Sequence, residues 1–166
     1  MASITISTKA YGEGRPAARL ILPFELRQRS RLLAVMDSGE EVGLLLPRGT
    51  VLRGGDRLQV SDGRLVEVVA APEEVSILRG ADARTLARAA YHLGNRHVAV
   101  QITGDSLRFL RDHVLDDMLR GLGMKIEADV LPFEPEAGAY SASNSHGHSH
   151  GHSHDHDHEH GHHHHS

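Results

Sequence analysis

The amino-acid sequence predicts an α+β protein in three parts: a β-rich N-terminal domain (residues 1–72), a βαββαβ domain (73–140) and a disordered histidine-rich tail (141–166). Three observations carry this reading. Short apolar runs, broken roughly every ten residues by Gly and Asp turns, fill the chain to about residue 71, the pattern of strands. Beyond it, helical apolar spacing alternates with strand-like spacing. Past Ser141 the chain is a low-complexity mixture rich in His, Gly, Ser and acids, a composition with nothing to bury.

The elements follow in order. The start, Met1-Ala-Ser-Ile-Thr-Ile-Ser-Thr-Lys9, alternates apolar and polar residues and lacks a signal peptide's apolar stretch, so it reads as a strand. Arg31-Leu-Leu-Ala-Val-Met36 and Glu41-Val-Gly-Leu-Leu-Leu46 flank Asp37-Ser-Gly-Glu40, a hairpin signal. Arg57-Leu-Gln-Val60 and Arg64-Leu-Val-Glu-Val-Val-Ala70 flank Ser61-Asp-Gly63 in the same way. Pro72 ends the strand before it and makes residues 71–74 a joint. Val75-Ser-Ile-Leu78 is a strand. Asp82 to Leu93 carries Leu86, Ala90 and Leu93 at helical spacing, with Gly94 where a left-handed helix end would fall. Val98-Ala-Val-Gln-Ile102 and Ser106-Leu-Arg-Phe-Leu110 form a further hairpin around Thr103-Gly-Asp105. Asp112 caps a helix whose apolar face is Val114, Leu115, Met118, Leu119 and Leu122, stopped at Gly123. Lys125-Ile-Glu-Ala-Asp-Val-Leu131 closes the unit before Pro132. The order βαββαβ is the ferredoxin-like split βαβ arrangement.

Composition narrows the function classes. Three Phe, three Tyr and no Trp leave each core to Leu, Val, Ile and Ala, and cores so small favour a homodimer that buries more surface. With no cysteine there are no thiolate metal sites and no disulfides. Residues 1–145 hold all eighteen Lys and Arg against nineteen acids, a net of −1 that gives no electrostatic reason to expect nucleic acid or anionic membrane. No apolar run approaches the roughly 20 residues of a membrane span, and the chain reads as soluble and cytoplasmic. A metal-dependent hydrolase would need convergent protein ligands, an open position and a general base, and the chain has no His-Glu-x-x-His pair. Nor does it have a phosphate-cradling Gly-rich loop followed by Lys and Ser or Thr. An enzyme is not expected.

Twelve of the fifteen histidines lie in the tail. His146, His148, His150, His152, His154, His156, His158 and His160 stand at every second position, and His162, His163, His164 and His165 follow. In an extended chain, residues i and i+2 project to one side, so neighbouring imidazoles meet one ion. Asp155, Asp157 and Glu159 add oxygen ligands. Neutral imidazole suits Ni²⁺, Zn²⁺ and Cu²⁺, and a pliable array follows the usual affinity order without singling out nickel. The tail encodes capacity.

Only His92, His97 and His113 lie outside the tail. His97 follows the first predicted helix at the mouth of a strand. One imidazole cannot hold a labile ion tightly, so His97 is either a surface residue or, in a two-fold dimer, one of a pair sharing an ion on the axis. His113 and Asp117 stand at i, i+4 on one helix, a spacing compatible with a metal. Asp112, Asp116 and Asp117 equally complement the positive N-terminus of that helix. His92 sits in a last helical turn, where a cation is favourable without any metal.

Several stretches together resemble one family, the urease accessory nickel metallochaperones (UreE). They are Leu22-Pro-Phe-Glu-Leu-Arg-Gln-Arg-Ser30, Val42-Gly-Leu-Leu-Leu-Pro-Arg-Gly-Thr-Val-Leu-Arg-Gly-Gly-Asp56, Ala89-Ala-Tyr-His-Leu-Gly-Asn-Arg-His97 and Asp112-His-Val-Leu-Asp-Asp-Met118. The resemblance covers nearly the whole body, in order, and ends in a histidine-rich tail. It implies an N-terminal domain that binds partner polypeptide and a ferredoxin-like domain that binds metal and dimerises. His97 holds the place of the family's interfacial nickel ligand; His92 and His113 match secondary ligands of some members. Arg111 stands where some members carry a further histidine, which puts the peripheral site in doubt. The implied function is delivery of Ni²⁺ to urease apoprotein together with an accessory GTPase. The competing reading is a nickel or zinc store in which the tail alone matters. Loss of urease activation without loss of cellular nickel would exclude the store.

Coordination requires the neutral ring, so nickel titrated into the full chain at pH 5.5 should bind more weakly at every histidine than at pH 7.5. Equal isotherms at the two values would exclude imidazole as the ligand.

Overall fold

The computed structural model describes residues 4–11 and 14–138. The expected tail disorder and its twelve histidines lie outside these residues.

The N-terminal part is a six-stranded sheet made of β1 (Thr5–Lys9), β2 (Ala18–Leu22), β3 (Arg31–Val35), β4 (Glu41–Leu45), β5 (Arg57–Val60) and β6 (Leu65–Ala70). A short helix, α1 (Phe24–Arg27), follows β2. The hairpins β3/β4 and β5/β6 pair antiparallel, as their turns require, with Gly39 and Gly63 at positive φ in the two turns. The sheet order is β2-β6-β5-β1-β4-β3. Its pairings β1/β4 and β2/β6 are parallel, which no reading of adjacent hairpins could supply. The strand β2 was not singled out in the sequence, although Ala18, Leu20 and Leu22 alternate inward between Pro16 and Pro23. Inward-facing residues of all six strands, among them Leu20, Val42, Leu44, Leu58 and Val68, make one core.

The C-terminal part runs β7 (Pro72–Leu78), α2 (Ala83–Gly94), β8 (Gln101–Thr103), β9 (Ser106–Leu110), α3 (His113–Gly121) and β10 (Ile126–Pro132). This is the expected βαββαβ order, in an antiparallel sheet β10-β7-β9-β8. Both helices cover one sheet face, burying Leu78, Leu107 and Phe109 against Ala89, Leu93 and Leu119. Three details differ from expectation. Residues 72–74, expected within a joint, already belong to β7, where they pair with β10. The expected strand at 98–102 shrinks to Gln101–Thr103, because Val98 N–H turns back to the Leu93 carbonyl (3.1 Å) and the Val100 carbonyl accepts from Glu136 N–H (2.7 Å). On α3, Val114 points outward at 61% exposure while Asp116 takes a place in the buried face at 5%.

Val75 and Ile77 point to the other face of the C-terminal sheet, where Phe133 covers them. Phe133 meets the ring of Phe24 edge-on at 5.6 Å, so one small apolar cluster joins the two parts. Beside it lies Arg27, fully buried. Its guanidinium donates to the carbonyls of Leu22 (3.1 Å), Leu52 (3.2 Å) and Phe133, and to the carboxylate of Glu134. Further ties are Phe24 N–H to Glu73 Oε2 (2.9 Å), Gly54 N–H to Glu134 Oε2 (3.1 Å) and Arg53 Nη1 to the Pro135 carbonyl (2.6 Å). A buried cation is tolerable only when its donors are satisfied, and removing it strands the acceptors facing it. Arg27→Ala should therefore cost about 3–5 kcal/mol in urea unfolding. A loss below about 1 kcal/mol would mean that the joint does not rest on this group.

Candidate metal site

The fold brings the histidine-bearing ends of both helices to one end of the C-terminal unit. β8 and β9 pair with Gln101 opposite Arg108, so the chain enters β8 and leaves β9 at the same end. His92 and His97 precede that entry and His113 follows that exit. The last described residues arrive there too, since Ala137 and Gly138 line a cleft of about 450 Å³ with Ala99. The described chain therefore ends at Gly138, in the same cleft as Ala99, two residues after His97.

α2 starts at Asp82, whose side chain accepts from Thr85 N–H at 2.7 Å. That backbone hydrogen bond, first among the causes, holds the Asp82 carboxyl below the usual carboxylate range. A depressed carboxyl stabilises fully above its unfolded value near pH 4, and this contribution fades as pH falls through the lower folded value. At neutral pH the cap is intact.

The other end of α2 differs from the sequence expectation. Gly94 is helical and does not take the left-handed turn. The left-handed residue is His97, with φ of 56°, the one non-glycine at positive φ among the described residues. Val98 N–H bonds the Leu93 carbonyl (3.1 Å) and His97 N–H bonds the Gly94 carbonyl (2.9 Å), a pair of bonds that closes a helix around a left-handed residue. Val98 packs into the same core as Leu93, which completes the closure. α3 ends in the same way. Met124 N–H bonds the Leu119 carbonyl (3.1 Å), Gly123 N–H bonds the Arg120 carbonyl (2.9 Å), and Gly123 has φ of 85°. One unit thus contains two equivalent helix ends, one with the glycine that such a turn favours and one with a histidine. The His97 side chain is exposed.

The remaining candidates are less constrained. His92 is half-buried, its ring edge-on to Tyr91 at 5.3 Å. His113 is exposed in the first turn of α3, whose cap Asp112 accepts from Val114 and Leu115 N–H (2.8 and 3.2 Å). Asp117 lies 3.5 Å from Arg120, so the proposed His113–Asp117 face already contains an ion pair. Asp116 is buried, with Oδ1 lacking a hydrogen-bond partner among the described residues. Among the described residues no three groups of His, Asp or Glu converge on one point. The histidines share an end of the unit without forming a closed site, and any tight site needs ligands from the tail or from another chain. Sequence reasoning missed the short segment 133–136 and its partner Gln101, because neither carries a periodic or motif signal. Among the described residues no helix is long and apolar enough to cross a membrane.

Comparison with known proteins gives a consistent result. Residues 6–71 match the family model "UreE urease accessory protein, N-terminal domain" and residues 73–165 match the corresponding C-terminal domain. The chain is 56% identical over 134 residues to the urease accessory protein UreE of Alkalilimnicola ehrlichii, covering 80% of this chain and 82% of that protein. It is 59% identical over 128 residues to that of Citrobacter koseri (76% and 84% covered) and 60% identical over 123 residues to one from Pseudomonas putida (74% and 74%).

The two helix ends allow an internal comparison. A side chain in the left-handed region carries strain of about 1 kcal/mol that glycine avoids, partly offset by glycine's greater unfolded-state entropy. In urea unfolding, His97→Gly should be neutral or stabilise by up to about 1 kcal/mol, while Gly123→Ala should destabilise by about 1–2 kcal/mol. If His97→Gly lost more than about 1 kcal/mol, His97 would be a structural residue.

Proposed function

Because the chain belongs to the UreE urease accessory protein family, we propose that it is a nickel metallochaperone that delivers Ni²⁺ to urease apoprotein during urease maturation. The observation that carries this reading is His97. It occupies a left-handed helix end where glycine would be more comfortable, its side chain is exposed, and Ala137 and Gly138 share a cleft with Ala99, two residues on. Strain retained at an exposed ligand-type side chain points to use of that side chain.

On this reading the C-terminal unit is a ferredoxin-like domain spanning 73–140, preceded by a partner-binding domain at 1–72 and followed by the metal-binding tail at 141–166. It forms a homodimer in which one His97 from each subunit shares the ion on the two-fold axis. Exposed Tyr91 (65%) and Val114 (61%) on the two helices support such a contact. His92 and His113 act as secondary ligands. Seven residues separate Gly138 from His146, a tether of at most roughly 25 Å, so the tail histidines would be held at high local concentration around this end of the unit. All-imidazole coordination exchanges readily, which suits delivery, and Zn²⁺ or Cu²⁺ would bind in vitro. The partners are the urease accessory GTPase and the urease apoprotein, met in the cytoplasm, and the protein performs no reaction of its own. A store of nickel or zinc would need the tail alone and no strained histidine in the body.

Nickel titrations of the full chain, of a truncation after Asn144 and of His97→Ala test the proposal. Truncation should reduce the number of ions bound and keep about one tight site per dimer. His97→Ala should lose that site, retain tail capacity and abolish urease activation. An intact tight site together with normal activation in His97→Ala would refute the assignment.

A further inference from the structure

We propose that residues 133–136 form a strap that positions the His97 turn, so that the N-terminal unit regulates nickel affinity at His97; this rests on the nickel-site reading above.

The stretch between α2 and β8 needs such a support. Val98, Ala99 and Val100 belong to no strand, although they carry His97 into the sheet. Upstream, the turn is held by the two bonds that close α2. Downstream, Gln101 is held in the β8/β9 ladder opposite Arg108, and two further ties run to the strap: Glu136 N–H donates to the Val100 carbonyl at 2.7 Å, and Glu134 N–H donates to Gln101 Oε1 at 2.9 Å. The strap in turn is held by the N-terminal unit. Arg27 bonds the Phe133 carbonyl and the Glu134 carboxylate, Gly54 N–H bonds the other Glu134 oxygen at 3.1 Å, and Arg53 bonds the Pro135 carbonyl at 2.6 Å. Glu134 is the bridge, with its carboxylate in one unit and its N–H in the other. Phe133 and Pro135 are buried, which stops the strap from sliding.

A site completed by two symmetry-related imidazoles tolerates little displacement of either, since ligand geometry must be kept within fractions of an ångström. A shift of the strap acts on Val100, which no strand ladder holds, and on the Gln101 side chain, and the His97 backbone is three residues from Val100. The open cleft lies against the strap, between Val51 and Arg53 on one side and Ala99 and Glu136 on the other. A partner engaging the N-terminal unit at this cleft would press on the strap and change the hold on nickel. Gln101 and Glu134 are therefore positioning residues, since neither is a ligand.

The test uses the full ¹⁵N-labelled chain titrated with Ni²⁺. Paramagnetic broadening of the amide signals of residues 97–101 reports Ni²⁺ held at this end of the unit, and the same titrations on the truncation after Asn144 remove the contribution of ions held by the tail histidines. Gln101→Leu keeps the side chain's bulk and removes its acceptor; its broadening midpoint should rise about three- to tenfold. Gln101→Glu restores an acceptor oxygen and should return the midpoint to within about twofold of the parent. Arg53→Met loosens the strap from the N-terminal side and should shift the midpoint in the same direction as Gln101→Leu. Thermal unfolding of each metal-free variant serves as the structural readout. An unchanged midpoint in Gln101→Leu, or a lowered Tm with no change in midpoint, would overturn the proposal. So would a failure of Gln101→Glu to rescue, or an Arg53→Met midpoint equal to the parent's. His97→Ala separates the two levels of inference. If broadening at 97–101 persists without His97, the nickel site itself is misassigned and the strap proposal falls with it. If it vanishes while Gln101→Leu behaves as the parent, the site stands and the strap alone is refuted.

Discussion

The buried guanidinium of Arg27 is the constraint on which the arrangement of the two units depends. A permanently charged group at zero exposure cannot neutralise itself, so the fold must supply acceptors to its donors. No single element does so. Two acceptors come from the N-terminal unit, at Leu22 and Leu52, and two from the chain that returns after the last strand, at Phe133 and Glu134. The ring of Phe24 lies 5.5 Å from the same guanidinium and also packs on Phe133. Because two of the acceptors lie 106 or more residues from Arg27 in the chain, the charge is satisfied only when both units are assembled. Two small cores that would each be marginal are thereby coupled into one cooperative structure.

The geometry of the strap follows from that requirement. Once Phe133 and Glu134 are committed to Arg27, the next residues have one direction in which to leave, across the entry to β8. That brings the last described residues, Ala137 and Gly138, beside Ala99, at the end of the unit where α2 finishes and α3 begins. The C-terminal ends of α2 and α3 obey the same backbone rule and differ in one residue. At Gly123 the rule is met with the residue that suits it; at His97 it is met with a side chain of a type that can coordinate metal. Local stability is given up at the single position where the proposed chemistry needs an imidazole held by backbone geometry and not by packing.

Much of this architecture is legible in the residues. The turn residues at Asp37 to Glu40 and Ser61 to Gly63 define both N-terminal hairpins, and Asp82 and Asp112 cap the helices as their side-chain chemistry predicts. The βαββαβ order follows from the change of apolar period along the chain. Other features depend on contacts distant in sequence. The parallel pairs β1/β4 and β2/β6 join strands that no turn connects. The burial of Asp116 and exposure of Val114 reflect how α3 rolls on its sheet, which its own periodicity does not fix. The left-handed residue was expected at Gly94 because glycine favours that conformation, but Leu93 and Val98 need three further residues between them to close the helix on the core. Tertiary packing overrode the local preference, and the position it selected is a histidine.

Selectivity and capacity make different physical demands, and this chain separates them. Twelve imidazoles at close spacing would bind divalent ions in the general order of imidazole affinities, which nickel does not lead. Such an array raises the local concentration of metal but cannot choose it. Choice requires a fixed geometry, and within one chain the described residues offer no converging set of three. The fixed element is the His97 turn, defined on one side by the end of α2 and on the other by a strap anchored to the N-terminal unit. On the proposed reading, a rigid ligand supplied once per subunit, completed by a partner's equivalent and by tail histidines, would give a site that forms only in the assembled protein. Such a site would open when the tail ligands leave, which is the property a delivery protein requires and a closed site would lack.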